Sequence, residues 1–354
     1  MTVGSPIFAP GRSTPAVTAV VVNYRTPALV RMCLDGLNLQ RADVPGLRAI
    51  VVDGGSGDES ASILASLVVE PGFSDWVSFS ALGTNGGFGW ANNEAFRQAR
   101  HMGDWPEFFF VINPDATARE GALVSLVRLL DSVPAAAVAG SLIHDSHGRV
   151  AGSYFAFPNV ASEFSRGLNA PRLTAWLTPI AGDRAALGPV RCDWVSGAGF
   201  LLRATVLEQY GGFDEGFFLY FEEVEFMGRL ADYGWQVWHV PESAVDHVGG
   251  ASTGVADGAS AARRLPAYWH EARWRYFALR HSGLYALTAS LAWALGRAGS
   301  AVRNLFGGGR EHMHAPHEFK DMMRFIVRGR AHAPPAVGAI DPQLGTLPAW
   351  MAQT

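Results

Sequence analysis

Short apolar runs alternate with helix-period segments from Val17 to Leu142, and this alternation narrows the fold more than any other feature of the chain. Val17–Val22, Ala49–Val52, Trp76–Phe79, Phe108–Ile112 and Ala135–Leu142 read as strands. Between them, Ala28–Leu39, Ser60–Val69, Asn92–Arg100 and Glu120–Leu130 read as helices. Strand and helix in turn imply an α/β fold, a mainly parallel sheet covered by helices. Ligands of such sheets bind beyond the carboxyl ends of the strands. Asp53 and Asp115 fall at or just after two of those ends.

Farther along, Asp193–Arg203 reads as a strand interrupted by Gly197-Ala198-Gly199, and Ala204–Tyr210 as a short helix closed by Gly211-Gly212. A helix over Tyr220–Tyr233, a strand over Gln236–Val240 and mostly helical structure over 265–330 complete the expectation. The organisation expected is a disordered lead-in over 1–15, a main domain over 16–260, a helical segment over 261–330 and an irregular tail over 331–354.

A chain of 354 residues that is 49% hydrophobic and 17% charged can bury a full core and is not a disordered polymer. Its net charge of −4 excludes nucleic acid as a partner of the whole molecule. The charge is unevenly spread, for residues 261–330 hold 12 Arg/Lys against 4 Asp/Glu. Within that basic segment, Tyr268–Tyr276 mixes aromatic residues with Arg273 and Arg275. Leu284–Leu295 follows as an apolar helix too short to span a bilayer. The segment is expected to dock at an anionic membrane surface; a helical cap on the main domain, or a contact with a second copy in a homo-oligomer, is the alternative. Cys33 and Cys192 lack metal or redox spacing, and residues 1–15 lack an apolar signal core, so a cytoplasmic location with peripheral attachment to the inner membrane is expected.

Three carboxylates crowd behind a wall of aromatic residues in Phe217-Phe218-Leu219-Tyr220-Phe221-Glu222-Glu223-Val224-Glu225. A carboxylate beside apolar surface tends to gain proton affinity, a route to a general base; an acidic surface helix is the other reading. Asp53 to Asp58 form a glycine-rich acidic loop suited to a nucleobase or ribose, while Asp58 would equally suit a cap on the next helix. Asn85-Gly86-Gly87-Phe88 continues to Asn92 and offers amides to a sugar or diphosphate. Asn113-Pro114-Asp115 ends the aromatic strand, where one carboxylate could meet Mg²⁺ or Mn²⁺, or simply make a turn. His247 is a candidate second ligand.

These segments, in this order over roughly residues 17–255, resemble the family 2 glycosyltransferases, inverting enzymes with the GT-A fold. The resemblance rests on Asn23-Tyr24-Arg25 after the first strand, the loop from Asp53 to Asp58, Asn85-Gly86-Gly87-Phe88, Asn113-Pro114-Asp115, Gly211-Gly212-Phe213-Asp214 and the acidic pair Glu222-Glu223. The wording is similar to the rhamnosyltransferase-like branch. The resemblance implies a GT-A type nucleotide-sugar-binding fold with a C-terminal helical segment. It also implies a nucleoside-diphosphate sugar as donor, with dTDP-rhamnose foremost, and a lipid-linked saccharide or polysaccharide acceptor. Asp53 and Asp58 would contact base and ribose, and Asp115 and His247 would hold Mg²⁺ or Mn²⁺. Glu223 would be the base, with Glu222 its rival. Two residues depart from the pattern: Asn113 replaces the first aspartate of the metal motif, and Glu223 stands where aspartate is usual. A sugar nucleotidyltransferase, which needs an Arg/Lys-bearing glycine loop where Asn23-Tyr24-Arg25-Thr26-Pro27 stands, and a catalytically silent sugar-nucleotide-binding relative are the rival readings.

Overall fold

The computed structural model describes residues 14–170, 173, 187–249, 264–305, 315–328, 336–341, 344–348 and 351. The expected lead-in (apart from residues 14 and 15) and residues 331–335 of the tail lie outside the described residues.

Val and Ile crowd their own backbone in a helix but pack well on a pleated surface, so the apolar runs become adjacent parallel strands. These are β1 (Val17–Asn23), β2 (Leu47–Asp53), β3 (Val77–Ala81) and β4 (Phe108–Ile112). Beyond β4 come β5 (Ala116–Ala118), β6 (Ala136–His144), β7 (Tyr154–Phe155), β8 (Val190–Cys192), β9 (Trp194–Val195), β10 (Gly199–Arg203) and β11 (Gln236–His247). The main nine-stranded sheet runs β3-β2-β1-β4-β10-β6-β11-β5, with β8 also paired to β11. β10 is antiparallel to both β4 and β6, whereas β11 is parallel to β6. The carboxyl ends of β1, β2, β4 and β11 therefore share one edge, and β10 begins there.

Helices cover both faces. On one side α1 (Pro27–Gln40), α2 (Ser60–Leu67) and α4 (Ala122–Ser132) bury Val30, Leu34, Leu64, Leu123 and Leu126 against the strands. On the other, α3 (Phe88–His101), α6 (Ala204–Tyr210) and α7 (Glu222–Asp232) bury Phe96, Leu207, Phe226 and Leu230. Phe108, Phe109 and Phe110 alternate between the two faces and are fully buried; each such side chain contributes about 1.5–3 kcal/mol.

A third apolar cluster joins α7 to a helical layer of α5 (Val160–Leu168), α8 (Ala267–Arg280), α9 (Gly283–Leu305) and α10 (Glu318–Arg328). Gly167 and Gly296 let α5 and α9 touch backbone to backbone, for a Cβ at either would run into the opposite chain. Ions lock the layer from within: Arg273 meets Glu163 at 2.7 Å, and Arg166 bridges Glu163 to Glu318. Arg273 and Tyr276 are 1% exposed and Arg275 is buried against Asp214, so the aromatic-basic stretch Tyr268–Tyr276 turns mostly inward. The outward apolar face lies instead on α9, at Leu284, Leu291, Leu295, Val302 and Leu305. Among the described residues no helix is long and apolar enough to cross a membrane.

Candidate active site

The first two parallel strands deliver Asn23 and Asp53 side by side at the sheet edge. Both are buried, and Asn23 Nδ2 donates to Asp53 Oδ1 at 2.8 Å. Ser56 completes the clasp through its hydroxyl (2.6 Å) and its backbone N–H (3.1 Å) to the Asp53 carboxylate. Arg25, at φ 59°, donates its backbone N–H to Ser56 Oγ and its Nε to the Ser56 carbonyl. The loops after β1 and β2 are thus one bonded unit, with Tyr24 lining the cleft beside it. Asp58 is exposed and accepts from the Ser60 N–H at the start of α2. The Ser60 hydroxyl and N–H hold its carboxyl below the usual range.

The Asn-Gly-Gly segment forms the next rim. Asn85 Oδ1 accepts from the Gly87 N–H at 3.0 Å, tying the loop into a turn just before α3. Gly87 sits at φ 93°, and a Cβ there would run into the Phe218 carbonyl, which accepts from the Phe88 N–H. Only glycine meets both demands. Asn85 and Gly87 line the cleft, and Gly86 packs on Trp90. Asn92 is buried, with Nδ2 on the Phe88 carbonyl inside its own helix.

Across the opening, Asn113, Asp115 and His247 converge. β11 runs on past Pro241 to end at His247, which pairs with Ala116. His247 Nε2 lies 3.2 Å from Asp115 Oδ1 and 3.3 Å from Asn113 Nδ2. A ring nitrogen facing both an N–H donor and a carboxylate can satisfy only one of them in either tautomer. Turning the Asn113 amide over, a choice set by the bonding network, brings three lone-pair atoms together. That donor set suits a hard cation that also takes oxygen from a diphosphate. Among the described residues no group of three or more His, Cys, Asp or Glu is placed to hold a metal ion by itself, so these residues could supply only part of a coordination shell.

The wall beside Asn85 carries the glutamates. Tyr220 and Phe221 sit at φ 72° and 68°, two successive left-handed non-glycine residues, and α7 begins directly after them. Such a pair costs on the order of 1–3 kcal/mol per residue and persists only where packing enforces it. Phe221 is held by Trp269 and Tyr276, and Tyr220 stacks on Tyr268. Glu225 is bound by Arg229 at 3.0 Å and is structural. Glu222 and Glu223 both line the cleft, and each leaves Oε2 without a hydrogen-bond partner. Burial pushes Glu223 up to about 7. Glu222, 2% exposed, is raised well above the carboxylate range by burial and by Glu223 beside it. The positive end of α7 favours their charge, but desolvation wins.

The cleft encloses about 600 Å³. It unites Tyr24, Asn85, Gly87, Asn113, Asp115, Glu222, Glu223 and His247, with Asn23 and Asp53 buried behind its wall. Asp58 and Asn92 are not among the residues lining the cleft; Asp58 accepts from Ser60 at the start of α2, and Asn92 donates to Phe88 within α3. Sequence reading passed over Ser56, whose only sign was its place between glycines. It also passed over Tyr268, which reaches the cleft from the helical layer with no local motif.

Residues 15–267 match the family described as Glycosyltransferase like family 2. Over 230 residues the chain is 33% identical to N-acetylglucosaminyl-diphospho-decaprenol L-rhamnosyltransferase of Mycobacterium tuberculosis, spanning 63% of this chain and 72% of that one. It is 22% identical over 231 residues to rhamnosyltransferase WbbL of Escherichia coli K12, spanning 64% and 80%. Mannosyltransferase PcManGT from Pyrobaculum calidifontis, solved with GDP-Man and Mn²⁺, has a TM-score of 0.53 at 16% identity over 84% of this chain and 77% of its own. GalNAc-T7 with UDP, GalNAc and Mn²⁺ gives 0.50 at 14% identity over 90% and 57%. The structural likenesses establish the GT-A fold.

Proposed function

The chain belongs to glycosyltransferase family 2 and is a transferase of the EC 2.4 class, and from that premise we propose an inverting rhamnosyl transfer. The donor is a nucleoside-diphosphate sugar, dTDP-rhamnose foremost, and the acceptor a lipid-linked saccharide such as N-acetylglucosaminyl diphosphate on a polyprenol. The observation that carries this reading is the pair of neighbouring carboxylates at Glu222 and Glu223, each with a buried Oε2 that has no hydrogen-bond partner, in one cleft with Asp115 and His247. A glycoside hydrolase would use two carboxyl groups flanking the bond; here the two are adjacent in the chain and suit a single base.

In the forward step the acceptor hydroxyl attacks the anomeric carbon while Glu223 Oε2 takes its proton. The bond from that carbon to the diphosphate oxygen breaks, and the nucleoside diphosphate leaves with the electron pair. A side chain poised near pH 7 is well matched to such a transfer. Asp115 and His247, with the Asn113 amide, would hold Mg²⁺ or Mn²⁺, which neutralises charge on the leaving diphosphate. The Asn23–Asp53–Ser56 clasp presents the nucleoside side, and Asn85 and Gly87 the diphosphate side. The base must stand on the acceptor side of the sugar, so Phe218, Tyr220 and Tyr268 form the wall against which an acceptor sugar ring packs.

The outer face of α9, uncharged at Leu284, Thr288, Leu291, Leu295, Ala298, Val302 and Leu305, supports peripheral docking where a lipid-linked acceptor resides. The reaction is tested by a panel of nucleotide sugars with Mg²⁺ or Mn²⁺, scored by acceptor-dependent release of nucleoside diphosphate. Release of pyrophosphate from a nucleoside triphosphate and a sugar phosphate would instead indicate the nucleotidyltransferase reading.

A further inference from the structure

Residues 336–341, 344–348 and 351 lie across the molecule, and the last of them reach a rim of the cleft. The first part is anchored like a core element. Val337 bridges Asp214, and Gly338 exchanges backbone hydrogen bonds with Phe213 and Gly212 at 2.9 and 2.8 Å. Ala339 O accepts from Arg97 Nε at 2.9 Å, and Ile340 is buried. Arg97, itself 1% exposed, is clamped between Glu94 and Glu215.

The second part contacts α3 and the loop before it. The Gly345 N–H donates to Glu94 Oε2 at 2.9 Å, and Thr346 O accepts from Trp90 Nε1 at 3.0 Å. Pro348 stands over Gly86 so closely that a Cβ on that glycine would lie 2.8 Å from its Cγ. Met351 Sδ accepts from Thr84 Oγ1 at 4.0 Å. From Gly86 the contacts run on: Gly87 abuts the Phe218 carbonyl, and the Phe218–Phe221 segment leads straight into Glu222 and Glu223.

We infer that residues 344–348, with Met351, are a positioning strap that holds the Thr84–Gly87 loop in the shape that receives the donor diphosphate. Residues 336–341 tie the strap to the core, and residues 344–348 with Met351 act on the loop. A loop with two glycines has much backbone freedom to lose on binding; the strap covers this one, leaving Gly86 buried, and removes that freedom beforehand, which is the preorganisation that raises affinity. The ligand assignment rests on the glycosyltransferase reading above; the ordering of the loop does not.

The test is the full chain carrying Pro348→Gly with Met351→Ala, and beside it a chain ending at Asp341. Neither change touches a residue lining the cleft. Amide hydrogen exchange at 85–88 is expected to quicken at least tenfold while β1 and β4 stay protected. The donor KM and the dissociation constant of the bare nucleoside diphosphate should rise about tenfold, a loss of about 1.4 kcal/mol. The acceptor KM and the unfolding midpoint should stay at wild-type values in the double variant. Unchanged exchange at 85–88 would overturn the strap whatever the ligand. Faster exchange with an unaltered donor KM would overturn its role in donor binding, as would equal rises in donor and acceptor KM. A wild-type chain that binds no nucleoside diphosphate would instead sink the function, leaving exchange to judge the strap.

Discussion

Replacing Glu223 with glutamine should make the protein more stable and nearly inactive, and the structure gives the size of the first effect. The ordinary carboxyl value is 4.5, and burial raises the folded one to about 7. Between those pH values the folded chain keeps a proton that the unfolded chain has lost, so stability falls as pH rises through the window. At about 1.4 kcal/mol per pH unit, the loss reaches a ceiling of about 3 kcal/mol and is complete above pH 7. Glu223→Gln has no such proton and escapes this loss. Urea unfolding of both chains at pH 5 and pH 8 should show the variant's advantage growing with pH, by up to about 3 kcal/mol. Turnover should fall about 10²–10⁴-fold, and the wild-type kcat/KM should rise with pH through a limb near 7. Parallel stability profiles for the two chains would refute the burial argument. Near-normal turnover in Glu223→Gln alongside its loss in Glu222→Gln would move the base by one position.

Asp115→Ala should weaken binding of divalent ion and donor together, by calorimetry, because the cation would be shared between protein and diphosphate; full wild-type activity in excess chelator would contradict this. Gly87→Ala forces a side chain into a left-handed position against the Phe218 carbonyl. It should cost about 1–3 kcal/mol and reduce turnover more than Gly57→Ala, where a Cβ meets nothing within 4 Å. Leu291→Glu with Leu295→Glu should abolish flotation with anionic vesicles and leave turnover on a water-soluble acceptor unchanged; equal flotation would reassign the outer face of α9.

The parallel strands were legible because their burial is nearly total. β1 and β4 match the apolar runs Val17–Val22 and Phe108–Ile112 almost residue for residue. What sequence missed depends on contacts made far away. β11 extends through Pro241 because β6 and β5 continue to pair with it past a register shift, and that extension brings His247 to Asp115. α7 starts two residues later than its pattern suggests, since Tyr220 and Phe221 are held left-handed by Tyr268, Trp269 and Tyr276. α3 begins at Phe88 rather than Asn92, so the Asn-Gly-Gly segment is its entry turn. The aromatic-basic run Tyr268–Tyr276 carries the composition of a membrane-facing stretch, yet Arg273 and Arg275 find Glu163 and Asp214 inside the protein. Charge counts along a chain say nothing of such distant partners.

The most direct measurement offers dTDP-rhamnose, Mg²⁺ and N-acetylglucosaminyl diphosphate on a short polyprenol to the purified chain and assigns the product's anomeric configuration by NMR. The account expects one rhamnosyl residue on the acceptor, with configuration opposite to the donor's, formed about 10²–10⁴-fold more slowly by Glu223→Gln. A product that keeps the donor's configuration, or transfer at a near-wild-type rate in Glu223→Gln, would contradict a single displacement driven by that carboxylate.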